Sequence, residues 1–177
     1  MSLVEKRYAE ALVKISAEKD MIRQHQQELA LVADLYGRQD DLRNFLLNPR
    51  VGKDAKKDFL RGIFSGKLEN EVLNLLLLLL DKGRIKHLQG INEEYARLAD
   101  ERLNVLDMNI RTAVPLDADQ IKNISEKFRK LYSASTVKTA VIIDESLVGG
   151  VRITIGDKLL DGSIKGRLKE LQEILLK

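Results

Sequence analysis

Residues 71–85 read EVLNLLLLLLDKGRI, six leucines in a row between an acidic start and a Lys-Gly-Arg stop. A membrane-spanning helix needs about 20 apolar residues to cross roughly 30 Å of hydrocarbon. The run over 72–80 is half that length and is broken by Asn74, so it cannot span. A coiled coil repeats apolar residues at two positions in seven over several heptads, whereas here leucine covers every face for under about three turns. A helix that is apolar all round belongs among other helices of its own domain, where each fully buried leucine contributes about 1.5–3 kcal/mol. The run therefore predicts a central core helix, closed by Lys82 and Gly83 as a cationic last turn and a C-terminal glycine.

Working outward, the flanking sequence is helical from Leu3 to about Leu106. Val4, Tyr8, Ala11, Leu12 and Ile15 line one face of a first helix, and Ile22, Leu29, Val32, Ala33 and Tyr36 one face of a second. A short third helix carries Leu42, Phe45 and Leu46 and stops before Pro49, because the residue preceding a proline is pushed out of the helical region. Phe59, Leu60, Ile63 and Phe64 mark a fourth, the leucine run is the fifth, and Ile85, Leu88, Ile91, Tyr95 and Leu98 mark a sixth. Six helices with short loops predict a bundle over residues 1–105.

After Val105 the apolar period changes from 3.6 to 2, which predicts a domain boundary. Leu106, Met108, Ile110, Thr112 and Val114 alternate with polar residues until Pro115. Asp117 and Gln120 then form a capping box, with Leu116 stapling onto Ile121. Ile121, Ile124, Phe128 and Leu131 make the expected buried stripe of that helix. VKTAVIID and GGVRITIG read as two strands joined at Asp144, Glu145 and Ser146, and DGSIKGRLKELQEILLK as a closing amphipathic helix with Ile164, Leu168, Leu171 and Ile174 inward. The expected fold is mainly α: a six-helix bundle over 1–105, then a small β-α-β-β-α domain over 106–177.

Composition limits the chemistry. The 177 residues contain no cysteine, which removes disulfides, thiolate nucleophiles and Cys-ligated zinc together. The pI is near 9.0, yet the basic residues are not concentrated: residues 1–105 carry 18 Lys and Arg against 17 Asp and Glu, and residues 106–177 carry 12 against 10. Nucleic-acid binding needs cations gathered on one face. MSLVEKRYAEALVK places charge where a signal peptide needs an apolar block, which leads to the expectation of a bacterial cytoplasmic location. The two histidines, His25 and His87, lie far apart on polar stretches and read as surface or partly buried structural residues. Glu93 and Glu94 read as a solvated pair. Neither phosphate-binding glycine signature is present. No catalytic, cofactor-binding or metal-ligating residue is expected.

KRYAEAL, FLLNPRV, LLLLLLDKGRI and above all LVGGVRITIGDKLLDGSIKGRL resemble the delta subunit of bacterial F-type ATP synthase, the family that includes the oligomycin sensitivity conferring protein. The likeness runs the length of the chain. It implies a non-catalytic stator subunit without cofactors, tethering the catalytic head to the membrane-anchored stalk so that proton flow is coupled to ATP synthesis. The N-terminal domain would receive the N-terminal helix of an alpha subunit between the first and fifth helices, and the C-terminal domain would meet the distal ends of the b subunits. Carried onto this sequence, the groove residues are Tyr8, Ala11, Leu12, Leu75, Leu78 and Leu79. Gly83, Arg84, Gly149, Gly150, Gly162, Gly166 and Arg167 match structural motifs of the family. The implied location is the cytoplasmic face of the bacterial cell membrane, peripheral and without bilayer insertion. The protein is expected to be monomeric when isolated and to bind no nucleic acid. The rival reading is an RNA- or ribosome-associated two-domain protein.

Overall fold

The computed structural model describes residues 2–147, 149–156 and 158–162. Among them, α1 (Leu3–Glu18), α2 (Ile22–Arg38), α3 (Asp40–Leu47), α4 (Lys53–Phe64), α5 (Asn70–Asp81), a 3-10 turn (Ile85–His87) and α6 (Leu88–Arg102) precede β1 (Val105–Thr112), α7 (Ala118–Leu131), β2 (Thr136–Ile143), β3 (Val151–Ile155) and β4 (Lys158–Asp161). The protein is mainly helical with a small four-stranded sheet. It separates into two compact units, Met1–Ala99 and Asp100–Lys177.

In the first unit the start of α1 is fixed by a capping box. The Ser2 hydroxyl accepts from Glu5 N, and the Glu5 carboxylate accepts from Ser2 N at 2.7 Å. Glu5 also lies 2.9 Å from His87 Nδ1. Gly90 makes room for this: a Cβ there would lie 2.5 Å from the Glu5 carboxyl carbon. The backbone bond from Ser2 and the bond from His87 hold the Glu5 pKa down, from the ordinary 4.5 to about 2. A depressed folded-state pKa favours the fold above the unfolded value and loses that contribution as pH falls through the folded one. Acid titration should therefore erode stability between pH 4.5 and about 2, and Glu5→Gln should flatten that part of the profile in thermal melts. An identical profile in the variant would remove Glu5 from the acid response.

The core of this unit differs from the expected one along α1. The buried residues are Ala9, Leu12, Val13 and Ser16, while Tyr8 is half-buried, Ala11 is exposed and Ile15 is 41% exposed. Ser16 hides the true core stripe from a hydropathy reading, because its hydroxyl lies 2.7 Å from both Leu12 O and His25 Nδ1. His25, expected at or near the surface, is fully buried. Tyr95 donates from α6 to the Ser16 hydroxyl at 2.8 Å, and its OH lies 3.2 Å from Ile22 O. His25 Nε2 makes no hydrogen bond but faces Glu71 Oε2 at 3.7 Å. The single Ser16 proton goes to Leu12 O, so the hydroxyl meets His25 Nδ1 as an acceptor. Four helices, α1, α2, α5 and α6, thus meet at one polar cluster.

Glu94 also departs from expectation. It is 1% exposed rather than solvated, and Arg97 donates from Nε and Nη2 to its two oxygens. This forked pair with the residue three positions on holds the Glu94 pKa below the carboxylate range, so the charge persists out of water.

In the second unit the sheet order is β2-β1-β3-β4. β1 pairs in parallel with β2, which requires α7 as crossover, and antiparallel with β3, so consecutive β2 and β3 are not neighbours. Met108, Ile110, Ile153 and Ile155 form the core, covered by Leu116, Ile124, Phe128 and Tyr132. The Asp117 and Gln120 capping box is present. Leu131 is 70% exposed, against expectation, and Tyr132 packs against the core in its place. The order differs from β-α-β-β-α by a further strand, β4, paired with β3. Four residues with two adjacent leucines carry no visible alternation, so a strand there leaves no periodic trace. The closing helix expected over 161–177 lies, from residue 163 on, outside the described residues.

Candidate partner-binding seam between α1 and α5

Two ties set the relation of α1 to α5. Near the start of α1, Arg84 Nη1 donates to the Tyr8 hydroxyl at 3.1 Å, with the guanidinium 5.7 Å from the ring centroid. At the other end, Lys19 is ion-paired with Glu71, and this bond holds the Glu71 pKa below its ordinary value. The helices therefore run antiparallel. Stepping seven residues back from Lys19 along α1 and seven on from Glu71 along α5 brings Leu12 level with Leu78. Leu78 thus lies at the level between Ala11 and Ile15.

Along α5, Val72, Leu75, Leu76, Leu79 and Leu80 are buried, the inward stripe at helical spacing, while Leu78 is 43% exposed and Asn74 is exposed. The six groove candidates are thereby divided. Leu12, Leu75 and Leu79 belong to the core, and Tyr8, Ala11 and Leu78 are accessible. Ile15, noted in the sequence only for its helical face, joins the accessible set. Its signal was available in the spacing from Tyr8 and Ala11, which puts all three on one side of α1. The accessible residues Tyr8, Ala11 and Ile15 of α1 and Leu78 of α5 lie along the chain between the two ties.

Gly83 fixes the α5 end of the strip. Its φ is +63°, and Gly83 N bonds Leu80 O at 3.1 Å while Arg84 N bonds Leu79 O at 2.7 Å. These are the two bonds of a Schellman cap, which needs a left-handed residue at this position. Replacing Gly83 with Ala should cost about 1–2 kcal/mol in denaturant unfolding, and an unchanged midpoint would contradict the cap.

The remaining motif residues are structural in placement. Gly149 and Gly150 lie in the bend before β3 rather than within the strand, and Gly150 has φ +82°. Gly162 N bonds Val151 O at 3.0 Å, closing the β3 and β4 pair. Gly166 and Arg167 lie outside the described residues. A second apolar cleft, about 430 Å³, is lined by Leu35, Leu42, Phe45, Phe59, Ile63 and Phe64. No cluster of three or more metal-ligating side chains occurs among the described residues, and no helix among them is long and apolar enough to cross a membrane.

The family model for the ATP synthase delta (OSCP) subunit matches residues 4–175. The chain belongs to the ATP synthase delta (OSCP) subunit family. Similar proteins include ATP synthase subunit delta of Acetivibrio thermocellus, 48% identical over 176 residues and covering 99% of both chains. That of Ruminiclostridium cellulolyticum is 43% identical over 175 residues, again 99% of both, and that of Bacillus thuringiensis is 37% identical, covering 99% of this chain and 97% of the other. Among solved structures, a chain of the Toxoplasma gondii mitochondrial ATP synthase hexamer shares the fold at TM-score 0.68 and 24% identity, covering 100% of this chain and 99% of that one. The delta (OSCP) subunit is a structural rather than a catalytic component of ATP synthase.

Proposed function

We propose that this protein is the stator coupling subunit of an F-type ATP synthase. It holds the catalytic head to the membrane-anchored b subunits against rotor torque, at the cytoplasmic face of the bacterial membrane. The observation that carries this reading is the apolar strip of Tyr8, Ala11, Ile15 and Leu78, held open between two antiparallel helices tied at both ends. An amphipathic helix laid along such a strip buries its own apolar side and the exposed half of Leu78 and Ile15 together. The proposed occupant is the N-terminal helix of an alpha subunit. Residues 1–105, as a six-helix bundle, are the head-binding domain.

Residues 106–177 are the proposed b-binding domain. Exposed apolar side chains on the two edge strands, Ile142 and Ile143 on β2 and Leu159 and Leu160 on β4, support partner contact by this domain. Tethering needs both contacts at once, and neither requires a reaction site.

The test is reconstitution. Catalytic heads and membranes stripped of this subunit are mixed with the protein, and head sedimentation with the membranes and ATP-driven proton pumping are measured. The native chain should restore both, whereas Ile15→Asp/Leu78→Asp should restore neither and leave ATP hydrolysis by the free heads intact. Equal restoration by the variant would overturn the seam as the head contact.

A further inference from the structure

His25 is sealed from water, and its ring is only half satisfied. The Ser16 hydroxyl has one proton and two lone pairs. The proton goes to Leu12 O, and the lone pairs meet the Tyr95 hydroxyl and His25 Nδ1, so Nδ1 carries a hydrogen. Nε2 has no hydrogen-bond partner and lies 3.7 Å from Glu71 Oε2. That carboxylate is ionised, because its bond from Lys19 above all holds its pKa below the ordinary value. In a neutral ring Nε2 turns a bare lone pair toward this negative charge, two acceptors facing one another out of water. A second ring proton converts the same contact into an ion pair, the condition under which a charge is tolerated inside a protein.

The remaining polar and charged groups around the ring are engaged elsewhere. Lys19, from α1, bonds the other Glu71 oxygen. Tyr95, from α6, keeps its phenol proton because burial pushes its pKa up. Glu28, on α2 itself, accepts from Glu69 N and from the Gln24 side chain. Glu71 alone answers to the state of Nε2.

We infer that His25 is a proton-operated latch between α2 and α5: with Nε2 protonated the ring closes on Glu71, and with Nε2 bare it releases the start of α5. Glu71 stands in the first turn of α5, so the latch sets how firmly that end of the leucine helix is held against α2. Lys19 keeps its bond to Glu71 in either state, and α5 stays attached to α1. Histidines change charge between about pH 5 and 8, which makes the junction of four helices responsive to the pH around the protein.

The experiment is a pH titration of the full chain by nuclear magnetic resonance over that range. His87→Gln leaves His25 as the one histidine and assigns its ring nitrogens. At the acid end both nitrogens should resonate as protonated, and at the alkaline end Nδ1 alone. The Glu71 carboxyl carbon and the amides of Asn70 to Leu73 should shift at the same midpoint. Glu71→Gln, which replaces the charge with an amide able to donate to a bare Nε2, should move the midpoint to lower pH. The latch is overturned by a ring that keeps one protonation state throughout, by a hydrogen on Nε2 with Nδ1 bare, or by a titration that the first turn of α5 does not follow. An unmoved midpoint in Glu71→Gln would overturn it as well.

Discussion

Leu79→Ala is expected to destabilise the protein by about 3 kcal/mol, and Leu78→Ala, one position away in the same run of leucines, by less than about 1 kcal/mol. Leu79 is fully buried, and truncation there loses transfer free energy and leaves a cavity that rigid neighbours only partly fill. Leu78 already has 43% of its surface in water, so its removal opens no enclosed space. The effect on a partner is expected to be opposite. Leu78→Ala should weaken binding of an apolar helix about tenfold, while any folded Leu79→Ala protein keeps its affinity. Urea unfolding together with peptide titration separates the two. Similar stability losses at both positions would mean that Leu78 is core and the seam closed.

His25→Ala should cost about 3 kcal/mol, although histidine is seldom among the larger contributors to a core. The ring is fully buried, so the substitution leaves a cavity and strips the Ser16 hydroxyl of a partner. It also removes the group facing Glu71 on the side away from Lys19. Tyr95→Phe, which deletes one hydroxyl from the same cluster, should cost about 1–2 kcal/mol. Since the cluster is shared, the double variant should lose less than the sum of the single ones. Additive losses in a thermal double-mutant cycle would show that His25 and Tyr95 act separately.

Much of the fold was legible in the sequence wherever a periodic pattern ran long enough. The shift from spacings of three and four to spacings of two near Val105 marked the start of β1, and Asp117 and Gln120 marked the start of α7. What escaped was polar residues acting as core. Ser16 and His25 Nδ1 bond one another, and Glu94 is satisfied by Arg97, so each is buried without any hydrophobic signal. Leu131 and Tyr132 stand about equally far round α7 from the Ile121, Ile124 and Phe128 stripe, so spacing alone does not choose Tyr132.

The seam was legible only in outline. A run of identical leucines offers no contrast between positions, so the division into buried Leu75 and Leu79 and exposed Leu78 comes from where neighbouring helices lie. On α1 the pattern is misleading in an informative way. The stripe that hydropathy selects, through Tyr8, Ala11 and Ile15, is the one left facing outward, while the core stripe is disguised by Ser16. Two apolar stripes on one helix are more than its own domain needs to bury, and that surplus is the surface the proposed partner helix would cover.

The most direct measurement is calorimetric titration of the full chain, native and Ile15→Asp/Leu78→Asp, with a synthetic peptide of the alpha subunit's N-terminal helix. A micromolar complex with the native chain is expected, lost in the double variant while its melting temperature stays within a few degrees of native. Absence of binding to the native chain, or equal binding to both, would contradict a seam that holds the catalytic head.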